Sequence, residues 1–175
     1  MAEYTLDVNV DLTRLKVLKE NGYYLCLARK VDNQYNVFTS NTFEVGALVK
    51  AQSNKQDIAY KQECVYDKAT IMQPAKSDPK GQDGSFKVIN EYGDTNFAVA
   101  AKVKGEYSVI YNTPNAIKGQ VTFTPINEVC IWFALDSKTN TMISTITGDS
   151  IIVPYNKVLM HSISYDASGN WILTG

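Results

Sequence analysis

Hydrophobic and polar positions alternate through most of this chain, and the clearest case is the stretch from Glu128 to Leu135. Val129, Ile131, Phe133 and Leu135 fall on one face of an extended strand, and Glu128, Cys130, Trp132 and Ala134 on the other. The first face is fully apolar and is expected to face a core. The second is half apolar, so the strand is either central and covered on both sides or presents Trp132 outward. Burial of Trp132 is the favoured reading, because an apolar strand of this density belongs in the middle of a sheet. The polar residues from Asp136 to Asn140 read as a hairpin loop, with Met142 to Thr147 returning.

The stretch from Tyr23 to Phe43 has the same grammar. Leu25, Leu27 and Val31 share a face with Tyr23, Cys26 and Ala28 share the other, Asp32-Asn33-Gln34 turns, and Tyr35 to Thr39 returns. Cys26 and Cys130 stand at equivalent places before their turns, and Gly46 and Gly148 follow at similar distances, which raises an internal repeat of a β-hairpin unit as one reading. The other is that unrelated hairpins share this grammar.

Further alternating runs cover Gln56 to Tyr66, Phe86 with Val88, Phe97 to Val103, Tyr107 to Tyr111, Val121 to Pro125, Ile151 to Val153, Val158 to Tyr165 and Asn170 to Leu173. Turn residues such as Asn90 to Asp94, Lys104-Gly105, Lys118-Gly119 and Asp166 to Gly169 separate them. Strands at this spacing predict an all-β chain: a β-sandwich of two packed, mainly antiparallel sheets with about ten strands. Only one helix competes. Asp11 is placed to cap Leu12 to Glu20, and Asn21-Gly22 to stop it. The segment 73–85, QPAKSDPKGQDGS, is the most loop-like stretch. It is expected to be a long polar loop inside a single domain spanning 1–175, because neither flank alone supplies enough strands to close a sandwich.

Composition narrows the function. A chain of 175 residues buries enough surface to fold without a disulfide or metal. With 17 basic and 18 acidic residues there is no basic excess to neutralise phosphates, so bulk electrostatic binding of nucleic acid is not expected, nor is a polybasic membrane anchor. The start, MAEYTLDVNVDLTRL, lacks the basic and apolar regions of a secretory signal, and no apolar run is long enough for a spanning helix, so a cytoplasmic location is expected, with non-classical secretion or a trimmed mature form left open. The three cysteines, Cys26, Cys64 and Cys130, are far apart and lie among apolar neighbours, so buried reduced thiols are expected.

Catalytic chemistry is thinly supplied. The single histidine, His161, sits in a strand pattern, where Ser162, Ser164 and Asp166 alternate faces or stack in a row instead of converging on it. A structural histidine is expected, and no enzyme. Asp7, Asn9 and Asp11 imitate the start of a calcium loop, but Leu12 and Leu18 occupy the positions of its glycine and its bidentate glutamate. Asp78 and Asp83 make the polar loop a better oxygen cluster for calcium, without deciding it. No metal, nucleotide or cofactor motif is present.

Surface aromatics remain, among eleven tyrosines and two tryptophans. Tyr66, Tyr92, Trp132, Tyr155 and Trp171, beside the Tyr23-Tyr24 pair, are the candidate ligand-binding residues, since rings on strands and loop tips stack on sugars or sit at a lipid interface. The sequence therefore points to a soluble, non-enzymatic binding or interaction module, with lectin-like glycan binding as the leading class. A membrane-active β-sandwich meeting a lipid surface, and a self-associating structural or inclusion protein forming homo-oligomers, stand as alternatives.

Overall fold

The computed structural model describes residues 4–39, 54–103, 106–135, 142–143 and 149–175. Along the chain these form β1 (Thr5–Val10), α1 (Leu12–Glu20), β2 (Tyr24–Val31), β3 (Gln34–Thr39), β4 (Gln62–Tyr66), β5 (Lys76–Ser77), β6 (Phe86–Thr95) and β7 (Ala98–Val103). Then follow β8 (Glu106–Asn112), β9 (Ile117–Phe123), β10 (Pro125–Ala134), β11 (Met142–Ile143), β12 (Ser150–Pro154), β13 (Met160–Tyr165) and β14 (Trp171–Leu173). The fold is all-β and sandwich-like, with one short helix among the described residues. It gathers into two compact units, Met1–Phe43 with Asn127–Gly175, and Glu44–Ile126.

In the first unit a five-stranded sheet of order β11-β3-β2-β10-β12 faces a three-stranded sheet of order β1-β13-β14. Ile131, Val153 and Ile163 are fully buried between them, with Leu6, Val8, Leu25, Leu27, Val129 and Ile151 packed around. The alternation in β2 and β10 sorts most residues as expected: Cys26, Ala28, Cys130 and Trp132 form a separate buried cluster on the face opposite Leu25, Leu27 and Val129. Tyr23, expected beside Leu25, lies before β2 and is exposed, and an irregularity between Leu27 and Ala28 interrupts the alternation before Val31. β10 has β2 and β12 on its two edges and a packed cluster on each face, so it is an interior strand of its sheet, as its dense apolar pattern predicts. Leu135 departs from the expectation. The strand ends at Ala134, and Leu135, one residue on, is exposed.

The second hairpin is also not formed as expected. Met142 and Ile143 pair with Asn36 and Tyr35 of β3, not with β10, whose two edges are already taken. The loop expected at 136–140, and the residues 144–147 of the returning strand, lie outside the described residues, as do Gly46 and Gly148. The two cysteine-bearing strands are neighbours in one sheet but do not head equivalent hairpins.

The helix forms where its caps place it. Asp11 Oδ1 accepts hydrogen bonds from the backbone N–H groups of Thr13 (2.9 Å) and Arg14 (3.1 Å), and Gly22, in the left-handed region at φ 73°, stops it.

The second unit contains a four-stranded sheet of order β5-β4-β6-β9 and the β7-β8 hairpin. Edge-on ring contacts join the two sheets, Tyr66 to Phe97 at 5.6 Å and Tyr111 to Phe123 at 5.8 Å, with Phe86 tilted against Phe123. Three boundaries here differ from expectation. The strand expected from Gln56 starts only at Gln62, because Lys61 takes a positive φ of 57° and breaks the extended run. Asn90 to Asp94, read as a turn, lies inside β6 as an irregularity, where the Asn90 side-chain amide donates to the carbonyls of Gly93 and Ile117 and replaces ladder bonds. The segment 73–85 contributes the short β5, which pairs with β4 through Gln62–Ser77 and Glu63–Lys76.

Candidate functional site

The structure separates the five candidate rings by environment. Trp132, Tyr155 and Tyr66 are only 3%, 4% and 8% exposed. Trp132 lies among Cys26, Ala28 and Cys130. Tyr155 donates its hydroxyl to the Thr5 carbonyl, its ring lies tilted against Tyr4 and edge-on to His161, and burial raises its pKa. Tyr66 is wedged against Phe97 and Tyr92. These three rings are packed within the protein. Tyr92 is 55% exposed, and Trp171 is half-buried beside an open groove.

Trp171 is held from several directions, starting at the helix. Arg14, positioned on α1 by the Asp11 cap, donates from Nε to the Ala167 carbonyl (2.8 Å) and from Nη2 to the Ser168 carbonyl (2.9 Å). Gly169 is needed at this point: its φ is 88°, and a Cβ there would stand 3.0 Å from Arg14 Nη2. Asp166 closes the turn, accepting from the Asn170 N–H at 2.8 Å, and those hydrogen bonds hold its carboxyl below the usual range. The chain then enters β14 with Trp171 stacked on Phe133 at 5.4 Å and 13°, Tyr165 tilted against it at 4.7 Å, and its indole N–H donating to the Asp149 carbonyl at 3.2 Å. The groove of about 360 Å³ in front of it is lined by Asp149, Ser150, Asn170 and Trp171. It combines an aromatic ring with a carboxylate, a hydroxyl and a carboxamide.

Sequence reasoning found Trp171 but missed Asp149, Ser150 and Asn170. Asn170 adjoins Trp171 in sequence, whereas Asp149 and Ser150 come from the start of β12, and no local pattern joins them to β14.

A second hollow, of about 250 Å³, lies in the unit 44–126 beside the polar loop, with Lys61, Lys80, Lys87, Gln62, Asp78 and Thr122 among its walls. Of the loop aspartates considered for calcium, Asp78 lines it and Asp83 meets it through Lys61. Asp83 pairs with Lys61 Nζ at 2.6 Å, and Asp78 with Lys87 Nζ at 3.1 Å, so both face cations instead of converging on an empty centre. Asp7 and Asn9 sit on the exposed face of β1, and Asp11 is spent on the helix cap. Among the described residues no group of three or more His, Cys, Asp or Glu side chains is placed to hold a metal ion.

His161 is buried in β13, with Nδ1 3.1 Å from the Gly175 carbonyl oxygen and its ring edge-on to Tyr155. Its Nε2 is buried and has no hydrogen-bond partner among the described residues. Cys26, Cys64 and Cys130 are buried thiols, and burial pushes the pKa of Cys130 up to about 11. Among the described residues no helix is long and apolar enough to cross a membrane.

Compared with family models, curated proteins and solved structures, the chain matches none.

Proposed function

We propose that the protein is a non-enzymatic binding module whose ligand is a hydroxyl-rich glycan engaged at the Trp171 groove. The observation that carries this reading is the composition of the groove: an immobilised indole beside Asp149, Ser150 and Asn170. A sugar presents an apolar C–H face and a rim of hydroxyls. A ring meets the first, and a carboxylate and a carboxamide accept from and donate to the second. Phe133, Tyr165 and the Arg14-braced turn fix the site in advance, so little ordering is required on binding. The packing of His161 in the core supports a binding role over a catalytic one.

A glycan array probed with the wild type and with Asn170→Ala and Trp171→Ala variants tests it. Selective retention of one glycan class is expected, with affinity reduced at least tenfold in both variants. Asn170 is exposed, so its variant keeps the fold. Equal retention by the wild type and Asn170→Ala, or no retention of any glycan, would sink the reading.

One observation favours a lipid surface as a second reading. Val158, Leu159 and Met160 are consecutive and each about half exposed, directly after two residues of positive φ, Asn156 and Lys157. Co-flotation with vesicles that is lost in Leu159→Glu would bring this reading forward, and absence of flotation would remove it.

A further inference from the structure

The hollow in the unit 44–126 has an imbalance between donors and acceptors. Its acceptors are largely engaged. Asp78 Oδ2 faces Lys87 Nζ, the Asp78 carbonyl takes the Gly81 N–H at 2.9 Å, and Gln62 Oε1 takes the Ala59 N–H at 2.8 Å. The Gln82 carbonyl accepts from both the backbone and the hydroxyl of Ser85, itself almost wholly buried. With its oxygen engaged, the Gln62 carboxamide offers its NH₂ group to the hollow.

The cations differ from one another. Lys87 is closed between Glu63 (2.7 Å) and Asp78 (3.1 Å), and those carboxylates raise its pKa. Lys80 has no carboxylate partner among the described residues. Among the described residues Lys61 pairs only with Asp83, whose side chain is 90% exposed, and an exposed pair of this kind is weak and readily exchanged. Lys61 is also held in a strained backbone conformation, with its N–H bonded to the Ser85 carbonyl and its carbonyl to the Asp78 N–H. These two bonds fix the point from which its side chain reaches out.

We infer that this hollow takes a tetrahedral oxyanion, a phosphate or sulfate group, received by Lys61 and Lys80 with the Gln62 amide as a further donor. On binding, Lys61 exchanges Asp83 for the anion and the Asp83 carboxylate turns to solvent. Charge-assisted donors are the groups that favour such an oxyanion. A cavity of about 250 Å³ has room for the anion with part of its hydration shell. The site belongs to a different unit from the Trp171 groove, and inorganic ions test it without any glycan.

Calorimetric titration at low ionic strength with inorganic phosphate, and separately with inorganic sulfate, is the test. Saturable binding of at least one ion is expected. It should weaken at least tenfold in the Lys61→Gln/Lys80→Gln double variant and stay unchanged in Lys118→Gln, whose ammonium pairs with Asp94 instead. Asp83→Asn should strengthen binding several-fold, because it releases Lys61, a gain that damage to the fold cannot imitate. A tenfold preference for phosphate would point to a phosphate ester as the ligand, the reverse preference to a sulfated one, and either supports the site. Failure of the wild type to bind both ions, or an Asp83→Asn variant that binds no better than wild type, would overturn it.

Discussion

Replacing Trp132 with alanine tests the packing of an interior strand of the five-stranded sheet. The indole is 3% exposed and packs with Cys26, Ala28 and Cys130, with Tyr24, Tyr35 and Ala134 around them. A buried tryptophan removes roughly 150–250 Å² from water, and at about 25 cal/mol per Å² this amounts to about 4–6 kcal/mol. Truncations of large core aromatics cost about 3–5 kcal/mol when the surroundings partly collapse. Here the immediate neighbours are small side chains on β-strands, which cannot move in to fill the space, so a loss of about 4 kcal/mol is expected. That is a large part of the roughly 5–15 kcal/mol that stabilises a native domain. Urea unfolding followed by far-UV circular dichroism measures it, and with a slope of about 2 kcal/mol per molar the midpoint falls by about 2 M. The environment is read independently in Trp171→Phe, where Trp132 is the remaining tryptophan of the two. Its emission should be blue-shifted and resist acrylamide. A stability loss below about 1.5 kcal/mol, or a red-shifted emission that is freely quenched, would refute the packing argument and make Trp132 a surface ring.

Two further outcomes follow from the thiols and the loop carboxylates. A thiol reagent at pH 8 should label the native protein slowly, because Cys26, Cys64 and Cys130 are all buried and burial raises the pKa of Cys64 and Cys130; rapid labelling of two thiols without denaturant would contradict this. Asp67 accepts from the backbone N–H of Ile71, from the Gln73 amide and from the Ala69 N–H, which lowers its pKa. A depressed carboxyl stabilises the fold above its unfolded value near 3.9, and that contribution disappears as pH falls through the folded value, so Asp67→Asn should flatten the acid side of a plot of Tm against pH below about 4. Parallel wild-type and variant curves would show that these hydrogen bonds do not distinguish the charged form.

What the sequence revealed depended on whether the cause was local. The helix was legible to the residue, because Asp11 and Gly22 act within a few positions of themselves. The two faces of β2 and β10 were legible because alternation is a property of the strand alone. The partner of Met142 and Ile143 was not, since β3 lies about a hundred residues away and the competition for the edges of β10 occurs only in the assembled sheet. The start of β4 was hidden because nothing in the identity of Lys61 announces a positive φ. At the groove, Trp171 was visible as an aromatic at the end of a strand pattern, whereas Asp149 and Ser150 reach it through tertiary packing.

The parallel pairing of β1 with β13 sets Thr5 against Met160 and Val10 against Tyr165. The three-stranded sheet therefore cannot close until a segment more than 150 residues along the chain has been made. At typical elongation rates of about 5–20 residues per second, β1 waits on the ribosome for roughly 8–30 seconds without its partner. The stretch 44–126, continuous in sequence, has no such wait. Once compact, it shortens the effective loop that the outer segments must close, lowering the entropy cost of bringing β1 to β13. The interrupted unit is thus expected to fold second during synthesis, with the continuous one as its template in time.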